Sequence, residues 1–337
     1  MMSEIRRDLV KNNWVAVAAD RALKPNDFPI AKKGVEASAE NAGFCPFCEG
    51  NEHFTPPEIA VYGRNSSEAN TPGWLIRTIP NKFSAFPLVG DLEKKTTGIY
   101  TNYNGLGQHE VIIETPEHGS GFHSFDVERI EMIAAMLKER YNCLREDPRI
   151  KYIQIYKNCG MFGGASLEHS HSQIVGLPFV PQENQGLPQY YAQKGSCLLC
   201  DMLKQEQESK ERVIYESECY LVLCPYAPRF AYETWIVPKR HTEHFGQMND
   251  IEVKELAALS KRLTTAILDC LNNPSYNFVI NTAPVNASYE PGYHWYMEIT
   301  PRLLVAAGVE VATGVYMNPV APEVAAQMLK ESFHAVR

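Results

Sequence analysis

The run Asn158-Cys-Gly-Met-Phe-Gly-Gly-Ala-Ser166-Leu-Glu-His169-Ser-His171-Ser-Gln173 carries a glycine-rich turn into two histidines and a glutamine at every second position. Alternate residues of an extended strand share a face, so His169, His171 and Gln173 are expected to point at one spot. Glycines such as Gly164 let backbone N–H groups approach an anion. Together these features describe a phosphate site with a histidine nucleophile, His171. An isolated His-x-His would read as the polar face of an ordinary strand. Glycines, a serine and a glutamine in the same short run decide against that reading.

Outward from this run, the chain repeats itself. Two Cys-x-x-Cys pairs occur, Cys45-Pro-Phe-Cys48 and Cys197-Leu-Leu-Cys200. The first is followed by Glu110-Val-Ile-Ile-Glu-Thr-Pro-Glu-His118 and Phe122, the second by Glu233-Thr-Trp-Ile-Val-Pro-Lys-Arg-His241 and Phe245, with equal Glu-to-His and His-to-Phe offsets. Each copy continues into an amphipathic helical pattern, Asp126 to Leu144 and Asp250 to Leu271, opened by an acidic residue suited to a helix start. Each then returns to a β-rich strand, Tyr152-Ile-Gln-Ile-Tyr and Tyr276-Asn-Phe-Val-Ile, and reaches a second histidine, His169 or His294. His118 and His169 are 51 residues apart and His241 and His294 are 53 apart.

This order predicts two Cys2His2 zinc sites, Cys45/Cys48/His118/His169 and Cys197/Cys200/His241/His294, each closed by four protein ligands and therefore structural. Iron could replace zinc in one of them, although two thiolates and two imidazoles favour zinc. A redox Cys-x-x-Cys fits less well, because neither pair sits where a strand hands over to a thioredoxin-like helix. Beyond the histidines the copies diverge. His171 and Gln173 follow His169, whereas Tyr296 and Glu298 stand at the same steps after His294. One chain thus supplies one nucleophile, and the second half is expected to be scaffold and a wall of the substrate site.

The fold expected is α+β, two tandem halves over residues 1–180 and 190–337 with mainly antiparallel sheets and packed helices. The breaker-rich Val180-Pro-Gln-Glu-Asn-Gln-Gly-Leu-Pro188 connects them, and Pro322 to Val336 closes the chain as a helix. With 337 residues, 45% of them hydrophobic, the chain can bury two ordinary cores. A net charge of −8 argues against nucleic acid or an anionic membrane as partner. The start, Met-Met-Ser-Glu-Ile-Arg-Arg-Asp, lacks the apolar core of a signal peptide, and no run is long enough to span a bilayer, so a cytoplasmic location is expected. Nine cysteines, an odd number in a large chain, read as reduced thiols; the five outside the pairs read as small buried hydrophobes.

Nearly the whole chain resembles the galactose-1-phosphate uridylyltransferases and their relatives the ADP-glucose phosphorylases, the transferase branch of the histidine-triad superfamily. The resemblance runs through Arg6-Arg-Asp, Asp20-Arg-Ala-Leu-Lys-Pro25, Cys-Pro-Phe-Cys, Pro80-Asn-Lys-Phe83, the Gly-x-Ser-x-x-His-x-His-x-Gln run and Gly314-Val-Tyr-Met-Asn-Pro319. It implies tandem histidine-triad-like halves, a homodimer, and transfer of a nucleoside monophosphate between a nucleotide sugar and a sugar phosphate or phosphate through a nucleotidyl-histidine. By the same resemblance His171 falls on the nucleophile, Gln173 on a phosphate-contacting glutamine and His169 on a zinc ligand. Asn158, Gly164 and Ser166 fall on the phosphate loop, and Arg21 and Asn81 on positions that hold the nucleotide sugar. Glutamine where hydrolytic relatives have a third histidine favours transfer over hydrolysis, since an amide donates a hydrogen bond without taking up a proton.

The leading expectation is uridylyl exchange between UDP-glucose and galactose 1-phosphate. Phosphorolysis of ADP-glucose is the alternative within catalysis, and a non-catalytic nucleotide-binding module the alternative outside it. Some members carry a lysine before the C-terminal glycine motif to grip the sugar phosphate. Here the segment reads Val305-Ala-Ala-Gly-Val-Glu-Val-Ala-Thr-Gly314 without a cation, which leaves base and acceptor open.

Overall fold

The computed structural model describes residues 4–17, 25, 28, 44–64, 68–84, 86, 90–289 and 291–336. Strand β1 (Glu4–Asp8) and β2 (Asn13–Val17) open the chain as a hairpin. The first half continues with β3 (Ala60–Tyr62), β4 (Ile76–Pro80), an exposed hairpin of β5 (Lys94–Thr97) and β6 (Tyr100–Tyr103), β7 (Gln108–Ile113), helix α1 (Val127–Arg145), β8 (Tyr152–Cys159) and β9 (His171–Leu177). Helices α2 (Gly186–Lys194) and α3 (Leu198–Ser209) lead into β10 (Val213–Glu216), β11 (Tyr220–Leu223), β12 (Thr234–Pro238), α4 (Asp250–Leu271), β13 (Tyr276–Asn281) and β14 (Tyr296–Pro301). The chain ends in α5 (Gly308–Thr313), β15 (Tyr316–Asn318) and α6 (Pro322–Ala335).

Ten of these strands form one sheet in the order β10-β11-β12-β14-β13-β8-β9-β7-β4-β3, with every neighbouring pair antiparallel. The order is a palindrome. β3 answers β10, β4 answers β11, β7 answers β12, β9 answers β14, and β8 pairs with its own counterpart β13 at the centre. The architecture is α+β with mainly antiparallel sheets, as the sequence led one to expect; β15 beside β2 is the parallel exception among the described residues. No helix of the described residues is long and apolar enough to cross a membrane.

Period-two alternation decides which face each half buries. Ile112, Ile153, Ile155 and Ile174 of the first half and Ile236, Phe278, Ile280 and Met297 of the second share one core with Ile133 and Leu137 of α1 and Leu263 and Ile267 of α4. Both helices begin on caps: the Asp126 carboxylate accepts from Arg129 N at 2.7 Å, and Asn249 forms a capping box with Glu252. On the opposite face the halves part company. Leu221, Leu223, Trp235, Val237 and Tyr296 are covered by Leu198, Leu199 and Leu203 of α3 and by Val10 and Leu187. In the first half that face carries Tyr156, His171 and Gln173.

Two expectations change. Equal Glu-to-His offsets suggested that Glu110 and Glu233 correspond, yet by register Glu110 pairs with Ile174 while Thr234 pairs with Ile299. Thr234 is therefore the counterpart of Glu110. The second copy is one residue shorter between strand and histidine, and a one-residue slip moves a side chain to the other face of the sheet. Glu110 accordingly meets Arg140 of α1, whereas Glu233 accepts from the Trp235 indole on the far side. The connection read over Val180 to Pro188 is also not loop throughout, because α2 starts at Gly186. A Cβ there would lie 1.7 Å from the Leu9 carbonyl oxygen, so only glycine lets this turn cross the amino-terminal hairpin.

Candidate active site and metal centres

Both Cys-x-x-Cys pairs meet their two histidines. Cys45, Cys48, His118 and His169 form one cluster and Cys197, Cys200, His241 and His294 another, with the ligand atoms of each within 4.8 Å of one another. In the first, Cys45 Sγ and Cys48 Sγ each lie 3.6 Å from His169 Nδ1, and Cys48 Sγ lies 3.6 Å from His118 Nδ1. In the second, the corresponding separations are 3.7, 3.6 and 3.4 Å. Four donors so close together could hold one metal ion at each place. The clusters differ outside these donors: His169 Nε2–H donates to the Thr115 carbonyl at 2.7 Å, fixing the tautomer that leaves Nδ1 for a metal, while His294 Nε2 is buried without a partner among the described residues.

His169 therefore does not share a target with Gln173, as simple alternation suggested. It precedes β9 and turns to the cysteines, and only His171 and Gln173 lie on the strand itself. His171 is 5% exposed, its ring edge-to-face with Phe47 at a centroid separation of 5.4 Å. Its Nδ1 lies 2.7 Å from the His169 carbonyl oxygen. A carbonyl can only accept, so Nδ1 bears the hydrogen and Nε2 keeps the lone pair. No described residue bonds that Nε2. Burial lowers the pKa of His171 and keeps the imidazole neutral, despite the opposing hydrogen bond to His169.

Behind this strand lies an ion-pair network that sequence reasoning missed. Lys157 Nζ donates to Glu114, to Ser170 Oγ at 2.9 Å and to the His171 carbonyl at 3.2 Å. Glu114 also accepts from Ser170 Oγ at 2.6 Å and from Ser172. Glu114 is 0% and Lys157 2% exposed, so each charge depends on the other. A lysine within the apolar strand Tyr152-Ile-Gln-Ile-Tyr-Lys was the available signal, since an inward cation needs a partner. Glu114→Ala is expected to destabilise the fold by about 3–5 kcal/mol, because it strands Lys157 in the interior. Chemical denaturation measures this; a loss below about 1 kcal/mol would mean that Lys157 finds water instead.

Gln173 Oε1 lies 2.8 Å from His109 Nε2 and accepts from the Tyr156 hydroxyl at 3.0 Å. With its carbonyl held by both groups, the amide turns its NH2 outward as a donor. Asn81, at the end of β4, has its Nδ2 3.2 Å from the same His109 nitrogen and donates its backbone N–H to the His109 carbonyl. His109 and Tyr156 were not found from the sequence, being a lone histidine and a lone tyrosine on separate strands. The register that pairs Tyr156 with Gln173, continued by two residues, sets Asn158 beside His171.

The glycine turn works differently from the simplest expectation. N–H groups of Gly163, Gly164 and Ala165 bond within the turn, to Gly160 O, Met161 O and Gly160 O. What the glycines permit is conformation and approach. Gly160 and Gly164 have φ of 73° and 79°, and a Cβ on Gly160 would lie 2.3 Å from Ser275 Oγ of the second half. Asn277 Nδ2 donates to Asn158 Oδ1 and to Gly163 O, both at 2.7 Å. Gly164 and Ser166 are exposed at the rim. Arg21 lies outside the described residues.

In the second half the position equivalent to His171 is occupied by Tyr296, its ring tilted against Trp235 with centroids 4.5 Å apart and its hydroxyl donating to Asn184 Oδ1 at 3.1 Å. Glu298, the counterpart of Gln173, is paired with Lys11 at 2.6 Å and Arg229 at 3.2 Å. The counterpart of the open face is filled.

Known proteins resemble this chain over nearly its whole length. The galactose-1-phosphate uridyl transferase N-terminal domain matches residues 2–181, and the C-terminal domain of the same family matches residues 183–331. The chain belongs to the galactose-1-phosphate uridyl transferase family. It is 36% identical to the ADP-glucose phosphorylase of Arabidopsis thaliana, covering 97% of this chain and 92% of that protein. It is 30% identical to the galactose-1-phosphate uridylyltransferase of Thermotoga maritima, covering 98% and 99%. The crystal structure of an Arabidopsis thaliana ADP-glucose phosphorylase with bound ADP-glucose superimposes with a TM-score of 0.80 at 33% identity, over 98% of this chain and 99% of that one. Family membership thus agrees with the resemblance read from the sequence.

Proposed function

We propose that this protein transfers a nucleoside monophosphate from a nucleotide sugar to a phosphate-bearing acceptor, with His171 Nε2 as the nucleophile. The observation that carries this reading is the hydrogen bond from His171 Nδ1–H to the His169 carbonyl, which leaves the lone pair on the other nitrogen. In the first step Nε2 forms a bond to the α-phosphorus as the bond to the bridging oxygen breaks and the sugar phosphate departs with that electron pair. In the second, an acceptor phosphate oxygen attacks the same phosphorus and the imidazole recovers its electrons. Gln173, its carbonyl held by Tyr156 and His109, offers N–H to the α-phosphate in both steps. A His109 nitrogen that donates to Gln173 cannot also accept from Asn81, so the Asn81 amide keeps its hydrogens for a ligand.

Zinc is the ion proposed for both clusters. Zn–S of about 2.3 Å and Zn–N of about 2.0 Å at a tetrahedral angle place sulfur and nitrogen about 3.5 Å apart, close to the separations found. Bound there it would brace ligands and take no part in bond making. The halves, 1–180 and 190–337, divide the work into chemistry and support.

ADP-glucose with inorganic phosphate is the pair placed first. It draws on the higher identity to the Arabidopsis phosphorylase and on the lack of a lysine or arginine between Val305 and Gly314. UDP-glucose with galactose 1-phosphate is the second, drawing on the two family domains and the Thermotoga relative. Incubation with ADP-glucose or UDP-glucose labelled at the α-phosphate is expected to leave acid-labile, base-stable label on the protein, and the better donor identifies the base. Absence of label with any nucleotide sugar would return the chain to a binding role.

A further inference from the structure

Beside the glycine turn opens a hollow of about 580 Å³, within the range of small-molecule sites. Asn158, Gly163 and Gly164 of the first half line one wall; Arg229, Arg302 and Tyr316 of the second line the other. Arg302 directly follows β14, and its backbone N–H bonds the Ser275 carbonyl at 2.8 Å. Its guanidinium lies over the Phe230 ring, 4.5 Å from the centroid, and its Nε donates to Asn277 Oδ1. Asn277 in turn holds Asn158 and the Gly163 carbonyl, so the arginine is rigidly tied to the turn beside His171.

Among the described residues no carboxylate forms an ion pair with Arg302. Two acids whose charges act on Arg302 are engaged elsewhere: Glu298 pairs with Lys11 and Arg229, and Glu233 accepts from Arg229 N at 2.9 Å, Phe230 N at 3.3 Å and the Trp235 indole at 3.0 Å. Burial, followed by the neighbouring Glu298 charge, raises the pKa of Glu233, which weakens it further as a counter-charge. Desolvation also lowers the pKa of Arg302, opposite to the usual effect of a paired arginine, while leaving it charged.

We propose that Arg302 is the phosphate-gripping residue of the hollow, its free guanidinium edge holding a phosphate dianion next to His171, that of inorganic phosphate as acceptor or of a sugar 1-phosphate as leaving group. Planar geometry suits two parallel N–H···O bonds to such an anion. Arg229, anchored to Glu298, adds positive potential from behind. The inference rests on the proposed role of His171: the gripped phosphate supplies the oxygen that bonds to the nucleotidyl phosphorus as the P–Nε2 bond breaks.

Arg302→Gln removes the charge while keeping a donor for Asn277, and Arg302→Lys keeps a charge without the fork. Direct titration of the metal-loaded protein with inorganic phosphate and, separately, with glucose 1-phosphate is expected to show at least tenfold weaker binding in Arg302→Gln, with a matching rise in acceptor KM. Arg302→Lys should fall between. Weakening of both anions supports the shared phosphate grip, weakening of one supports it and names the source, and unchanged affinity for both overturns it. Should the glutamine variant fail to fold, the lysine variant decides: a raised acceptor KM at an unaltered melting temperature supports the site, an unaltered KM overturns it. Absence of labelled His171 in wild type would remove the transfer reading alone, since the phosphate titration judges the hollow independently.

Discussion

Replacement of His171 by glycine is expected to abolish transfer, by at least about 10⁴-fold, while both clusters keep their metal and the melting temperature stays close to that of the wild type. Hydrogen-bond bookkeeping at the ring nitrogens leads to this expectation. His169 has Nδ1 against two sulfurs and Nε2 on the Thr115 carbonyl, so neither nitrogen is available. His109 presents its Nε2 to Gln173, and His118 faces Cys48. Among the described residues, His171 alone on this face combines a hydrogen fixed on Nδ1 with an unpartnered Nε2. A glycine at 171 still offers the carbonyl that Lys157 bonds and still pairs in β9 with Ile113 of β7, which is why stability should survive. Label transfer, metal analysis and thermal melting measure the three quantities. Loss of metal along with activity would mean that ligand and nucleophile had been confused.

Those features that depend on residue type and spacing were legible in the sequence. Two cysteine pairs and two pairs of histidines in the same order gave both clusters, because a tetrahedral ion demands four specific donors and the chain has few other ways to use them. Alternation gave His171 and Gln173, since strand geometry imposes it. Features that depend on register were not legible. Glu110 and Glu233 occupy equal offsets but opposite faces, and nothing local reveals that the second connection is one residue shorter. The Glu114–Lys157 pair joins residues 43 apart in sequence and exists only because β7, β8 and β9 are neighbours. Neither the plug of Lys11 on Glu298 nor the arginine wall of the hollow could be read before the ten-stranded order was known, because each joins segments from both halves or from the amino terminus. The glycines are expected to offer backbone N–H groups to an anion, whereas those of Gly163 and Gly164 are bonded within the turn.

Unequal consequences are expected when the two metal clusters are broken separately. Cys45→Ser and Cys197→Ser should each reduce metal from two ions to one per chain and lower the melting temperature, since ion binding is coupled to folding and each cluster ties residues far apart in sequence. Only the first should also lower the transfer rate, by about 10- to 100-fold per folded molecule. His169 is the link: its Nδ1 faces the two sulfurs, where it would hold the ion, and its carbonyl fixes the hydrogen on His171 Nδ1. Loss of the ion frees the His169 ring, lets its backbone relax, and releases His171 to put its hydrogen on either nitrogen, so that a fraction of molecules lose the nucleophilic lone pair. No residue of the second cluster touches His171, and among the described residues His294 Nε2 bonds nothing that could relay a disturbance. Pre-steady-state labelling on variants sorted by metal content separates the effects. Equal rate losses in both variants would show that the first cluster braces the fold in general and that its tie to the nucleophile is incidental.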